Sequence, residues 1–189
     1  MGHTGSDGRP FTPQEQERLQ QALLSVTRQV AASPPSVLSE AALHAWHVTL
    51  CAGIEGMQPG HYRHAEITFG SFLGTAPRLI PREMAALLEQ HRERLPSLEE
   101  RQQAGEDLAQ AVLHHATLLH AELIRIHPYW DGNGRLARLV QAWLCWRFDQ
   151  PVPIYTHRAR YLAALNRYHH TRDLTLLLQL SQESQRRPG

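Results

Sequence analysis

The feature that most constrains this chain is the segment 127–138, which reads His-Pro-Tyr-Trp-Asp-Gly-Asn-Gly-Arg-Leu-Ala-Arg. Proline disfavours the helical conformation in the residue before it, so a helix that precedes the segment must end at His127. Gly132 and Gly134 permit a tight turn and a close approach of a ligand to the backbone. Because apolar residues recur at helical spacing on both sides, the segment predicts a helix–loop–helix.

The same segment carries groups that bind phosphate. Backbone N–H groups near Asn133 open the second helix without intrahelical partners and attract anions. Arg135 and Arg138 lie three residues apart, hence on one side of that helix, and guanidinium groups bind phosphates well. His127 offers a proton acceptor, and Asp131 offers an oxygen ligand of the kind that Mg²⁺ prefers. This combination indicates a site for a polyphosphate nucleotide.

The composition places the chain among ordinary globular proteins. Its 189 residues suit one domain with a core, and 42% of them are hydrophobic. A net charge of +1 argues against a nucleic-acid partner or an anionic membrane surface. Without a membrane-spanning apolar run or a secretory signal, we expect a cytoplasmic protein, with export by a machine that reads other signals left open. Cys51 and Cys145 are expected to be buried free thiols.

Helical periodicity dominates the rest of the chain, and turn residues delimit its segments. We expect a disordered lead-in over residues 1–11, an N-terminal helix within 12–35 and a domain over 36–185. Apolar and polar residues alternate within 64–72, which predicts a β-strand there. The stretch 95–104 is polar and interrupted by proline, which predicts a break in the helix before it. The predicted architecture is mainly α, a helical bundle with one small β-hairpin.

Residues 127–138 resemble the motif of the Fic domain, His-Pro-Phe-x-Asp-Gly-Asn-Gly-Arg-x-x-Arg, at every defining position but one. The exception is Tyr129 in place of phenylalanine, which keeps an aromatic anchor. Residues 60–63 and 67–70 are similar to the Gly-x-Tyr-Arg segment and to the β-hairpin flap of Fic proteins. The resemblance covers roughly residues 36–183. It implies the Fic fold, a helical bundle whose flap lies beside the active-site helix–loop–helix.

Most Fic proteins transfer AMP from ATP to a serine, threonine or tyrosine hydroxyl of a target protein, and the resemblance implies this activity here. His127 would be the general base, and Asp131 would ligate Mg²⁺ between the phosphates. Gly132, Asn133 and Gly134 would surround the α-phosphate, with the Asn133 side chain donating to it. Arg135 and Arg138 would hold the outer phosphates, and Tyr161 would lie beside the nucleotide. The flap would clamp the target as an added strand, and its residues are Ile67, Thr68, Phe69 and Gly70.

The position of His127 also affects its charge. A neutral histidine near its ordinary pKa is a suitable proton acceptor at neutral pH. The C-terminus of a helix carries a partial negative charge and therefore favours the protonated form. A neighbouring feature must offset this effect if His127 is to act as a base.

Several competing interpretations stay open at this point. The Doc branch of the family, which phosphorylates its target, has lysine at the position of Gly134, so glycine favours AMP transfer. Transfer of UMP or of a phosphoryl group is the alternative within the same fold. A non-catalytic module that binds a nucleotide or a partner through the same loop is the contrasting class. A toxin and an effector would use the same site, and the oligomeric state is undetermined.

Many Fic proteins carry an inhibitory helix with the pattern Ser/Thr-x-x-x-Glu-Gly/Asn, whose glutamate pairs with the second motif arginine. Segments 51–56 and 36–41 match it incompletely, because the first lacks the hydroxyl and the second ends in alanine. We therefore expect no inhibitory glutamate within the chain, and regulation, if any, by a separate antitoxin-like chain. The thirteen histidines show no metal-binding spacing, so the sequence does not support a zinc site.

Overall fold

The computed structural model describes residues 10–54, 56–69 and 72–185, and these ranges contain seven α-helices and one two-stranded antiparallel sheet. The elements are α1 (Pro13–Ala32), α2 (Glu40–Cys51), β1 (Thr68–Phe69), β2 (Phe72–Leu73), α3 (Ile80–Gln103), α4 (Ala109–Ile126), α5 (Asn133–Arg147), α6 (Arg158–Thr171) and α7 (Thr175–Gln185). A short 3₁₀ turn, Pro77–Leu79, leads into α3. The prediction of a mainly α fold with a small β-hairpin is confirmed.

The first two helices begin where the sequence places their caps. Thr12 and Glu15 form a capping box, in which each side chain accepts a hydrogen bond from the other residue's backbone N–H. Ser39 caps α2 by accepting a hydrogen bond from the Ala42 N–H. Helix α1 ends at Ala32, before a Ser-Pro-Pro sequence that cannot continue it.

The predicted break over 95–104 is wrong, because α3 continues through Pro96 to Gln103. A proline inside a helix removes one backbone hydrogen bond and clashes with the preceding turn, at a cost of about 3 kcal/mol. Leu95 and Leu98 are buried, and each contributes about 2 kcal/mol through removal of its side chain from water. Tertiary packing therefore decides the length of this helix.

Two boundaries also differ from the prediction. The helix predicted from about Gly105 begins at Ala109, since Gly105 has a φ of 73° and the Asp107 carboxylate accepts from the Ala109 N–H. The strand predicted over 64–72 is shorter and forms half of a hairpin. The pairs in this hairpin are Thr68 with Leu73 and Phe69 with Phe72.

Helix α4 lies at the centre of the fold and packs against α3, α5, α6 and α7. One side of α4 joins α1, α2, α3 and α5 in the main core, whereas Ala121 on its other side contacts a smaller core beneath α6 and α7. Trp143 of α5 is fully buried and donates to the Pro35 carbonyl at 3.0 Å. The loop between α4 and α5, residues 127–132, therefore starts and ends on helices fixed by packing.

Cys51 and Cys145 are buried and unbridged, which confirms that prediction. Burial raises the pKa of the two thiols to about 11 and about 12, so both stay protonated at neutral pH and behave as apolar core atoms. Within the described ranges, none of the helices combines the length and hydrophobicity that a membrane crossing requires.

Candidate active site

His127 is the first residue after α4, and its backbone lies in the left-handed region, with φ 52° and ψ 59°. This conformation is uncommon for a residue other than glycine and costs about 1–3 kcal/mol, so the surroundings must hold it. The turn places the imidazole in the wall of a cavity of about 540 Å³.

The Arg63 side chain holds this turn in place. It is 2% exposed and donates to four main-chain carbonyls, those of His127 at 2.7 Å, Ala65 at 2.7 Å, Ile126 at 3.4 Å, and Thr75. The carbonyls that end α4 carry a partial negative charge, and they compensate the buried cation. The arginine of the Gly-x-Tyr-Arg segment thus fixes the backbone on both sides of the α4 terminus.

Burial keeps His127 neutral. Phe69 of β1 stacks on the imidazole, with ring centroids 3.8 Å apart and planes inclined by 10°. Burial lowers the pKa of His127 to about 4, a hydrogen bond to Ile124 opposes this shift, and the Arg63 cation adds to it. Burial and Arg63 are therefore the features that offset the effect of the α4 terminus.

The tautomer of His127 follows from its hydrogen bond. Its Nδ1 lies 3.3 Å from the Ile124 carbonyl oxygen, which can only accept, so Nδ1 carries the proton. The lone pair of the neutral ring is then on Nε2. This atom is the one that can accept a proton from a ligand.

Gly132 occupies a position that a larger residue cannot take. Its φ is 75°, and a Cβ atom there would lie 2.7 Å from the Cys51 sulfur and 3.2 Å from His47 Nε2. Its backbone N–H donates to Oδ1 of Asp131, and the same oxygen lies 3.5 Å from Arg135 Nη2. Both contacts use Oδ1, so Oδ2 is the Asp131 oxygen that can ligate a cation.

His47 of α2, to which the sequence analysis assigns no role, connects two loops. It is fully buried; its Nε2 donates to the Asp131 carbonyl at 2.9 Å, and its Nδ1 accepts from the Gly60 N–H at 2.9 Å. The ring stacks on Tyr129 at 3.8 Å, and burial lowers its pKa to about 4. In the sequence, the feature that could have indicated this role is a histidine on an otherwise apolar face of α2.

Tyr129, the one departure from the Fic motif, is fully buried, and its hydroxyl lies 3.0 Å from His44 Nδ1. The added oxygen therefore has a hydrogen-bond partner, and tyrosine replaces phenylalanine without leaving a polar atom unpaired. The Tyr129 backbone is held by Asn133, whose Oδ1 accepts at 3.0 Å and whose Nδ2 donates at 2.8 Å. One N–H of the Asn133 amide and its oxygen are therefore used inside the loop, so Asn133 positions the Tyr129 backbone. Its donation to the α-phosphate through the second N–H stays a prediction.

The two motif arginines have different surroundings. Arg135 is 15% exposed at its side chain and contacts the end of α2, with Nη1 3.4 Å from the Leu50 carbonyl. Arg138 is exposed, and its Nη1 lies 3.6 Å from where a Gly134 Cβ would be. Arg138 also lies beside the Tyr161 hydroxyl. Burial raises the pKa of this hydroxyl, and the Arg138 cation opposes part of that shift. Arg138 is the guanidinium more accessible to a ligand.

Two cavities meet at Gly134 and Arg138, which line both of them. The larger one contains His127 and Tyr161 and is otherwise lined mainly by apolar and aromatic side chains of the hairpin, α4 and α6. The second, of about 450 Å³, contains Asp131 and lies against α1. An apolar space beside a charged one suits a ligand with a ring system at one end and phosphates at the other.

A family model described as Fic/DOC family matches residues 37–145. The chain belongs to the Fic/DOC family. A Fido domain-containing protein of Dictyostelium discoideum is 30% identical over 108 residues, 56% of this chain and 68% of that protein. Protein adenylyltransferase fic-1 of Caenorhabditis briggsae is 25% identical over 123 residues, 64% of this chain but 22% of that protein. This Fic chain therefore corresponds to less than a quarter of that adenylyltransferase.

Solved Fic structures share the fold. The BepC protein of Bartonella tribocorum, a translocated effector solved with bound AMPPNP, superposes with a TM-score of 0.66 at 17% sequence identity. The match covers 100% of this chain and 94% of that one. At this level of identity the likeness extends to the fold, which agrees with the helical bundle and small hairpin described above.

The Mg²⁺ ion that the Fic motif implies would fit the residues present. Mg²⁺ binds through one or two carboxylates and completes its shell with phosphate oxygens and water. Asp131 lines the second cavity and has Oδ2 available, and the described ranges hold no group of three metal-binding side chains. Such an ion would be held mainly by the nucleotide, with Asp131 as the protein ligand.

The flap and the inhibitory motif are only partly described. Phe69 lines the larger cavity, Thr68 is exposed, and Ile67 is half-buried, whereas Gly70 lies outside the described residues. Glu55, the glutamate of one incomplete inhibitory motif, also lies outside them. The absence of an inhibitory glutamate therefore stays a prediction.

Proposed function

We propose that this Fic protein is an adenylyltransferase that moves AMP from ATP to a serine, threonine or tyrosine hydroxyl of a target protein. The observation that carries this proposal is that a proton acceptor, His127 Nε2, and a phosphate-binding guanidinium, Arg138, line one cavity. Asp131 and Arg135 line a second cavity that adjoins it at Gly134. Relatives named protein adenylyltransferases, and a neighbour solved with AMPPNP, support the same chemistry.

In the proposed reaction, Nε2 of His127 accepts the hydroxyl proton while the target oxygen attacks the α-phosphorus of ATP. A new oxygen–phosphorus bond forms, the bond to the oxygen that bridges the α- and β-phosphorus atoms breaks, and pyrophosphate leaves. The His127 proton then passes to pyrophosphate or water, because an imidazolium with a pKa of about 4 is acidic. General-base catalysis of this type contributes about 10²–10⁴-fold to a rate.

The negative charge of the phosphates is stabilised by groups around the first turn of α5. Backbone N–H groups there point out of the helix, and Arg138 and Arg135 add two cations. Mg²⁺ on Asp131 would supply further positive charge when bound. Lysine at the position of Gly134, as in the Doc branch, would enter the space where the two cavities meet, so glycine supports AMP transfer.

We propose that the target docks as an added strand on the β1–β2 hairpin. Leu73 of this hairpin is 54% exposed and offers an apolar contact, and the short strands leave backbone groups for main-chain hydrogen bonds. The lone pair of Nε2 lies in the plane of the His127 ring, and Phe69 covers one face of that ring, so the target hydroxyl would approach Nε2 in the ring plane beside the hairpin. The hairpin would thereby control both the position and the direction of the hydroxyl.

The test uses ATP labelled at the α-phosphate, ATP labelled at the γ-phosphate and UTP labelled at the α-phosphate, each with candidate target proteins. We expect protein-bound label from α-labelled ATP, its loss in His127→Ala, and its retention in His114→Ala, a histidine exposed on α4. Label from the γ-phosphate alone would indicate phosphorylation, and label from UTP alone would indicate uridylylation. Nucleotide binding without any transfer would indicate a non-catalytic module.

A further inference from the structure

Helix α1 forms one wall of the cavity that lies across Gly134 from His127. It contributes Gln16 and Gln20 together with apolar side chains. Helix α1 precedes residues 37–145, which match the Fic/DOC family. The wall is therefore built from a segment outside the family match, and its role does not follow from the motif.

The charges around this cavity favour an anion. Arg135 and Arg138 face α1 from the opposite wall, and Asp131 is the one acidic residue among the described residues that line it. On α1 the carboxylates are directed elsewhere, since Glu15 accepts from the N-cap backbone and Glu17 accepts from Gln21. The face that α1 presents to the two arginines is therefore uncharged.

Packing fixes α1 in this position. Val26 and Val30 are buried in the main core, and Phe11, just before the helix, is 8% exposed. The Arg18 side chain donates to the Gly53 carbonyl at 3.3 Å, which ties the helix to the loop after α2. These contacts hold α1 against α2 and α5.

We propose that α1 is the outer wall of the ATP site, where Gln16 and Gln20 donate hydrogen bonds to the β- and γ-phosphate oxygens. A glutamine amide has two N–H donors; Gln16 uses one on the Phe11 carbonyl at 2.9 Å, and the second is available to a ligand. Facing two arginines, these neutral donors make the cavity selective for a triphosphate over a monophosphate. This inference rests on the proposed function, because it assumes that ATP occupies the adjoining cavity.

The test compares the binding of AMPPNP and of AMP, each with Mg²⁺, by titration calorimetry. In Gln20→Glu a carboxylate would repel the outer phosphates, and we expect AMPPNP binding to weaken about tenfold or more while AMP binding changes by less than about threefold. The matched control is Gln14→Glu, which adds the same charge at an exposed position of α1 that does not line the cavity. The control is expected to bind AMPPNP as the unchanged protein does.

A second variant removes donors without adding charge. Gln16→Ala with Gln20→Ala is expected to weaken AMPPNP binding about threefold to tenfold, and a thermal melt verifies that it is folded. Equal affinities for Gln20→Glu and Gln14→Glu would overturn the role of α1 while leaving the proposed adenylyltransfer intact. An unchanged protein that binds neither AMPPNP nor AMP would overturn both.

Discussion

Substitution of Arg63 by lysine should separate the charge of this residue from its geometry. Arg63 is almost fully buried, and its three nitrogens donate to four carbonyls. Lysine keeps the cation, but a single ammonium cannot span carbonyls that a planar guanidinium reaches from different nitrogens. If the ammonium keeps two of the four bonds, two buried or partly buried carbonyls lose this donor, at a cost of about 1–2 kcal/mol each. Arg63→Lys should therefore lower the free energy of unfolding by about 2–4 kcal/mol.

Urea denaturation followed by tryptophan fluorescence measures this change, and Arg78→Lys, at an exposed position, is the control. Because Arg63 holds the His127 carbonyl, we also expect the rate constant for adenylyl transfer to fall about 10–100-fold at saturating ATP, as misplacement of a catalytic group does. A loss of stability below about 0.5 kcal/mol would refute the assignment of Arg63 as the support of the left-handed turn.

Three further predictions concern the same loop and its surroundings. Gly132→Ala should destabilise the fold by about 2–4 kcal/mol in urea denaturation. Adding Cys51→Ala to the same chain should recover part of this loss, because it removes the sulfur that lies 2.7 Å from the new Cβ. No recovery would contradict the steric explanation. Phe69→Leu should admit water to His127 and raise the pKa of its imidazole from about 4 toward the ordinary value, which NMR titration of the imidazole measures. An unchanged pKa would show that the Phe69 ring does not contribute to the burial of His127. Buried histidines with lowered pKa values stay neutral in the folded chain, whereas the same histidines become protonated in the unfolded chain below pH 6.5. The free energy of unfolding should therefore decrease as the pH falls toward 4. Relative to neutral pH, the decrease at pH 5.5 is about 1.4 kcal/mol for each such histidine. Urea titrations at pH 7.5 and 5.5 measure this difference, and a constant free energy would refute it. Burial lowers the pKa of five histidines to about 3–4, and these are His47, His91, His115, His120 and His127.

The sequence by itself determined the loop between α4 and α5 and much of the helical framework. His127, Asp131 and Arg138 lie within twelve consecutive residues, and the glycines and proline among them dictate the turn locally, so no knowledge of distant contacts is needed. The same holds for the starts of α1 and α2, which are set by Thr12 and Ser39 through bonds to residues three positions ahead.

Only the tertiary structure decided which groups hold that loop. His47 bonds to the Asp131 carbonyl from 84 residues away, Arg63 reaches the His127 carbonyl from 64 residues away, and nothing in their own segments fixes those distances. Packing likewise continues α3 through Pro96 and stacks Phe69 on the His127 imidazole. Local sequence selects backbone conformation through sterics and caps, whereas burial, and the pKa shifts that burial causes, depend on which distant elements the whole chain brings together.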